Sequence, residues 1–221
     1  MHPVLLPTCC VACGVVGPRL CGPCSRSLVP ARPLPVPAGL DGCYALIDYA
    51  GTGRAVVSAV KFRHDRSLAA VLAPALARVL PSAEVARTPV ITWCPTSGRR
   101  RRDRGYDQAE VLARAVGRSL GLPVHRLLRR GAGAPQTGRS AADRRRPLPL
   151  VARGRVPAQI VVVDDVCTTG ATLEAAAAAV RGAGAARVIG LVLAATPPPR
   201  SPGGAQAASS ASRQPLQAER A

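Results

Sequence analysis

The chain has 221 residues, enough for one α/β domain with a small appendage and too few for two full domains. Lysine and arginine number 30 against 12 acidic residues, a formal net charge of +18, and Lys61 is the single lysine in an otherwise all-arginine set. That balance points to an anionic partner, whether nucleic acid, phosphorylated metabolite or membrane surface, although arginine-rich and alanine-rich wording is also what a GC-biased genome writes. No run of 18 apolar residues occurs, which excludes a spanning helix of ordinary length. Met1 to Pro7 lacks a basic n-region followed by a long apolar h-region, so the expectation is a cytoplasmic protein.

Taken in chain order, the first element is a cysteine cluster. Cys10-Val11-Ala12-Cys13 and Cys21-Gly22-Pro23-Cys24 form two Cys-x-x-Cys pairs within a predicted module at 1–27. Each pair can wrap a tight turn, and four thiolates close a tetrahedral site suited to structural zinc, with Cys10, Cys13, Cys21 and Cys24 as ligands. Cys9 could replace Cys10, and a redox disulfide pair is the competing reading. Residues 28–40 carry repeated prolines and little periodicity and read as a linker. The periodic apolar pattern of a globular domain then runs over 41–196, and the Pro-, Ala- and Ser-rich stretch 197–221 reads as a disordered tail.

Inside the domain, Val56 to Leu80 has helical apolar spacing with breaks, and Val90 to Trp93 is a short buried strand. Tyr106 to Leu120 is helical and stopped by Gly121, and Val124 to Leu128 reads as a strand. The segment 129–146 contains six arginines and three glycines and no large apolar residue, the composition of a lid or of plain disorder. Ile160 to Val163 is a continuous β-branched run, as in a strand covered on both faces. Thr172 to Arg181 is an alanine-rich helix stopped by Gly182 and Gly184, and Val188 to Leu193 is another covered strand. Strands alternating with helices of this length predict a parallel, doubly wound α/β sheet whose ligand lies beyond the carboxyl ends of the strands.

The most informative stretch is Ile160-Val161-Val162-Val163-Asp164-Asp165-Val166-Cys167-Thr168-Thr169-Gly170-Ala171-Thr172. It sets two carboxylates at a strand end, followed by threonines, a glycine and the start of a helix. Free N–H groups and the positive helix end suit a phosphate, while the carboxylates suit hydroxyl groups or a divalent cation. A ligand with phosphate at one end and vicinal hydroxyls a sugar's width away is a ribose 5-phosphate. Two alternatives fit less of the pattern: a plain strand-to-helix turn with solvated acidic caps, and a phosphoacceptor aspartate.

This stretch resembles the signature of the type I phosphoribosyltransferases, and the resemblance implies a doubly wound parallel sheet of that kind behind the zinc module. It implies that Asp164 and Asp165 hold the ribose hydroxyls of phosphoribosyl pyrophosphate, and that Thr168, Thr169, Gly170, Ala171 and Thr172 cradle its 5-phosphate. Cys94-Pro95-Thr96-Ser97-Gly98-Arg99 is similar to that family's pyrophosphate loop, which assigns Thr96, Ser97, Gly98 and Arg99 to the ligand. Arg104-Gly105-Tyr106-Asp107-Gln108-Ala109-Glu110 resembles a run in the ComF proteins, which also often begin with paired cysteines. Leu128-Arg129-Arg130 and the segment after it resemble a mobile catalytic loop of amidophosphoribosyltransferases, placing Arg129 and Arg130 with Asp164 and Asp165 among the catalytic candidates.

The implied activity is transfer or sensing of a phosphoribosyl group with Mg²⁺, the acceptor being unidentified. The ComF resemblance also implies an alternative, an accessory role in DNA uptake with single-stranded DNA or a competence helicase as partner, and a homodimer stays open. Tyr106 is the one ring near the basic segments, which gives little support for a stacking platform on single strands.

Overall fold

A computed structural model describes residues 8–62, 66–88, 90–131 and 150–196. Four strands form one parallel sheet in the order β1 (Gly42–Asp48), β6 (Arg187–Ala195), β5 (Gln159–Cys167), β2 (Ile91–Trp93). The β-branched run at 160–163 explains why β5 lies inside: Val161 and Val163 point into one core and Ile160 and Val162 into the other. The first core is closed by α2 (Gly51–Phe62), α3 (Arg66–Arg78) and α6 (Gln108–Leu120), through Val56, Val57, Leu68, Leu72, Leu76, Leu112 and Val116. The second is closed by α7 (Ala171–Arg181) through Leu173, Ala176 and Val180. Each large aliphatic side chain buried this way contributes about 1.5–3 kcal/mol. The expected parallel α/β sheet with helices on both faces is therefore present.

Several elements lie outside the sequence expectations: β1, the helices α1 (Gly22–Arg26) and α4 (Ser82–Arg87), and a helix α5 (Gly98–Arg104) where a loop was expected. The expected strand at 124–128 is shorter and shifted. Val124 makes one parallel bridge with Ile91 on the outer side of β2, and β3 (Leu128–Arg130) pairs antiparallel with β4 (Leu150–Ala152). Of the arginine-rich segment 129–146, residues 132–146 lie outside the described residues, as do 147–149 and the tail from 197.

Residues 28–40, expected as a linker, are docked. Ala31 N–H donates to Leu46 and Asp48 N–H to Val29, so this stretch pairs with the free edge of β1. Further on, Arg181 holds Asp41 at 2.7 Å and the Gly39 carbonyl at 2.6 Å.

The path of the chain fixes where a ligand can go. After β2, α6 leads outward to the Val124 bridge, whereas the β3–β4 ribbon leads back inward to β5. The winding direction reverses between β2 and β5, and a crevice opens beyond their carboxyl ends.

Candidate functional site

Strand β2 ends at Trp93, opposite Val163, and the Cys94 N–H to Val163 carbonyl bond at 2.9 Å is the last rung of that ladder. Strand β5 continues to Cys167, paired with β6 alone. The sequence reading put the acidic pair at the strand's end, but Asp164 and Asp165 lie inside β5 and are the first residues past the end of its shorter neighbour. A cavity of about 370 Å³ occupies that gap, lined by Lys61, Thr96, Arg130, Asp164, Asp165 and Thr172 among others.

Burial, reinforced by the charge of Asp165, pushes the Asp164 carboxyl well above the ordinary carboxylate range. Its Oδ1 accepts the Asp165 N–H at 2.8 Å. Asp165 is 8% exposed, and its Oδ2 has no hydrogen-bond partner. The Lys61 ammonium approaches that oxygen at 3.6 Å from the last turn of α2.

Helix α7 starts with Gly170 in the left-handed region, φ 82°, and no side chain caps it. A Cβ there would lie 2.9 Å from Pro37, so glycine is required both by the backbone and by the docked 28–40 segment. Thr168 and Thr172 line this cavity, whereas Thr168, Thr169 and Gly170 line an adjoining hollow of about 330 Å³ with Pro35, Val36 and Pro37. Of the residues expected to cradle a phosphate, Thr168, Thr169, Ala171 and Thr172 are exposed and Gly170 is buried.

On the opposite wall, Thr96 faces the cavity and its N–H donates to Asp107 Oδ2 at 2.8 Å. Ser97 and Gly98 stand at the entry to α5 and do not line the cavity, and the side chain of Arg99 is outside the described residues. Arg130 lines the cavity and donates to the Pro95 carbonyl at 2.9 Å, whereas Arg129, its neighbour on β3, is exposed and away from it.

The sequence reading assigned no site role to Tyr49, Lys61, Asp107 or Gln108, all of which line the cavity. Asp107 caps α6 by accepting from Glu110 N–H at 3.4 Å as well as from Thr96, and burial pushes its carboxyl upward. Gln108 is 5% exposed with Oε1 unpartnered. The Tyr106 hydroxyl donates to the Val60 carbonyl, tying the end of α2 to the entry of α6 and so placing Lys61. Lys61 carried a signal as the sole lysine, and the Arg104–Glu110 run was noticed without roles being given to Asp107 or Gln108.

The cysteine module forms a second centre. One ligand atom from each of Cys10, Cys13, Cys21 and Cys24 lies within 4.8 Å of the others, so the set draws on Cys10 rather than Cys9 and can hold a structural zinc. Backbone N–H groups of Cys21, Cys13 and Ala12 bring the Cys10 thiol down to about 6, while hydrogen bonding to Cys21, with burial and further thiols beside it, pushes Cys24 up to about 12. The Cys10 thiolate is thus prepared by the turn, whereas Cys24 needs a cation to shed its proton. Cys94 is buried in the cavity lining, and burial next to Asp164 keeps its thiol protonated. Cys167 lines the second hollow and pairs with the Cys43 thiol, which lowers it to about 7.

Among the described residues no helix is long and apolar enough to cross a membrane. A comparison with curated protein sequences found no match. Among solved structures, the chain is similar to orotate phosphoribosyltransferase from Aeropyrum pernix, with 22% identity and a TM-score of 0.38, over 61% of this chain and 63% of that one. Purine phosphoribosyltransferase from Pyrococcus horikoshii aligns with 22% identity and a TM-score of 0.37, over 59% and 72%. The glutamine phosphoribosylpyrophosphate amidotransferase of B. subtilis aligns with 20% identity and a TM-score of 0.41, over 62% and 30%, so this chain spans less than a third of it. Residues 66–214 match the profile of the phosphoribosyl transferase domain, and the chain belongs to that family.

Proposed function

We propose that the crevice binds phosphoribosyl pyrophosphate together with Mg²⁺, and that the chain transfers or senses the phosphoribosyl group. One observation carries the reading: the Asp164–Asp165 pair shares a single cavity with Thr168 and with Thr172 from the first turn of α7, a helix whose N-cap residue offers no side-chain cap. Asp164 and Asp165 would accept hydrogen bonds from the ribose hydroxyls, and the turn Thr168–Thr172 would give its N–H groups and hydroxyls to the 5-phosphate. The pyrophosphate would lie towards Thr96 to Arg99, with Arg130 at the cavity edge and Arg129 beside it on the ribbon.

Asp165 Oδ2, which has no hydrogen bond, and the adjacent Asp164 carboxyl are hard oxygen donors of the type Mg²⁺ takes, so these residues fit the ion. Bound there with the ligand, Mg²⁺ would supply charge stabilisation to a departing pyrophosphate. The protein's share is to orient the ribose, fix the 5-phosphate and keep the anomeric carbon open to an acceptor. In transfer, the acceptor's lone pair forms the new bond to that carbon as the bond to pyrophosphate oxygen breaks and pyrophosphate carries the electron pair away.

We further infer a ComF-like subgroup from the Arg104–Glu110 run, a zinc-loaded module at 1–27 ahead of a domain at 41–196, and a cytoplasmic setting in which the eight cysteines stay as thiols. Zinc in the module is checked by elemental analysis of protein purified without chelator, close to one equivalent being expected.

Calorimetry with phosphoribosyl pyrophosphate and Mg²⁺ on the full chain tests the main reading, run beside single-stranded DNA at two salt concentrations. Saturable heat with the metabolite is expected. Heat with DNA alone, steeply weakened by salt, would replace this reading with the DNA-uptake alternative.

A further inference from the structure

The cavity's described lining is rich in oxygen acceptors and poor in positive charge. Asp107, Asp164, Asp165 and Gln108 face it, against Lys61 and Arg130. Arg130 is engaged with the Pro95 carbonyl, and Asp107 with the Thr96 and Glu110 N–H groups. Two acceptors have no hydrogen-bond partner although each residue is more than nine-tenths buried: Asp165 Oδ2 and Gln108 Oε1. Uncompensated acceptors at that depth are costly unless a cation or donor arrives.

Lys61 is the group that offsets part of that cost. Its side chain is 23% exposed, and the ammonium lies 3.6 Å from Asp165 Oδ2, near enough for charge attraction and too far for a hydrogen bond. It is held there by its backbone: α2 ends at this point, and Tyr106 fastens the Val60 carbonyl next to it to the α6 entry. A flexible ammonium on a four-carbon stem, close to a carboxylate without a hydrogen bond to it, is a counter-ion that can be displaced.

We propose that Lys61 is the resident counter-cation of the Asp164–Asp165 pair, occupying the place that a divalent cation takes when ligand binds, and that it thereby sets the pair's affinity for metal. The proposal rests on the reading of the acidic pair as the ribose and Mg²⁺ site. Lys61 is a positioning residue in this scheme: it keeps the pair from capturing divalent metal in the empty cavity and withdraws when metal and ligand arrive together.

The test is binding of Mn²⁺ alone to the full chain, read by electron paramagnetic resonance of the free ion. Mn²⁺ is a hard ion that prefers these oxygens to the cysteine thiolates. The variant Lys61→Gln should bind Mn²⁺ at least tenfold more tightly than wild type, because a like charge has been removed from beside the site. Lys61→Arg, which keeps the charge, should stay near wild type and shows that the position tolerates change. Adding Asp164→Asn and Asp165→Asn to Lys61→Gln should abolish the gain.

Equal Mn²⁺ affinity in wild type and Lys61→Gln, with both folded by circular dichroism, overturns the proposal. A gain that survives the two Asn substitutions overturns it as well. If Lys61→Gln does not fold, Mn²⁺ affinity that is tighter in Lys61→Arg than in wild type by tenfold or more overturns the charge argument, and an unchanged value supports it. The metabolite reading fails separately: wild type giving no heat with Mg-phosphoribosyl pyrophosphate, while Lys61→Gln still gains Mn²⁺, removes the ligand and leaves Lys61 assigned.

Discussion

Helices α6 and α7 both start at the rim of the same crevice, yet their first turns are finished in opposite ways. Asp107 caps α6, taking the Glu110 N–H of that turn and the Thr96 N–H of the facing loop. Gly170 begins α7 with no side chain of its own to cap it, and the Thr169 hydroxyl takes only the Ala171 N–H, at 3.4 Å. A helix start that satisfies its own donors is a structural joint, whereas one that leaves donors open in a cavity is prepared for an anion from outside. On the proposed reading, the first turn of α6 serves stability and that of α7 the ligand.

Gly170→Val should break the comparison most severely. The left-handed φ and the Pro37 contact oppose any side chain, so a loss of about 1–3 kcal/mol of stability is expected. The turn must shift to accommodate the valine, and affinity for Mg-phosphoribosyl pyrophosphate should fall at least a hundredfold by calorimetry. Retained affinity would show that the open helix end is not the phosphate site.

Second in size is the carboxylate pair. Asp164→Asn with Asp165→Asn should weaken Mg-phosphoribosyl pyrophosphate at least tenfold, since a hydrogen bond to a charged group contributes about 1.5–3 kcal/mol. Asp164→Asn alone should raise the melting temperature at pH 7. A carboxyl whose folded pKa is raised favours the folded state while protonated and loses that contribution as pH climbs above its unfolded value. The advantage of the Asn variant should therefore shrink as pH falls towards 4. Scans of wild type and variant at two pH values check the sign, and a lower melting temperature at pH 7 would make the pair structural.

The smallest effect belongs to the capped helix. Asp107→Ala should cost about 1 kcal/mol, the usual value of an N-cap, or about 2–4 °C in melting temperature for a chain of this size. Its effect on Mg-phosphoribosyl pyrophosphate affinity should stay below that of the acidic pair. A larger loss of binding than of stability would move Asp107 from joint to ligand contact.

What the sequence disclosed was what short-range patterns encode. The run Ile160–Val163 announces a strand covered on both faces, and Gly121, at φ 69°, ends α6 where the periodicity stops. Strand β1 was missed because its burial depends on β6 on one side and on residues 29–31 on the other, neither of them near in sequence. Helix α5, Gly-Arg-Arg-Arg-Arg-Asp-Arg, has no apolar stripe and reads as a charged loop. The acidic pair and the turn proposed for the phosphate could be read together because one contiguous stretch holds both. Lys61 and Gln108 were not, since each reaches Asp165's cavity from another element, and no spacing along the chain reports that approach.

The length of β2 has a geometric consequence. With three residues against nine in β5, β2 acts as a ruler whose tip sets the floor of the crevice. Extending β2 by one paired residue would raise that floor by about 3.3 Å and bring Asp164 under the ladder. Because side chains alternate along a strand, the first uncovered position would then present the opposite face of the sheet. The site is thus defined by where a neighbouring strand stops, so one-residue insertions or deletions around Trp93 should disturb it more than many substitutions in its walls.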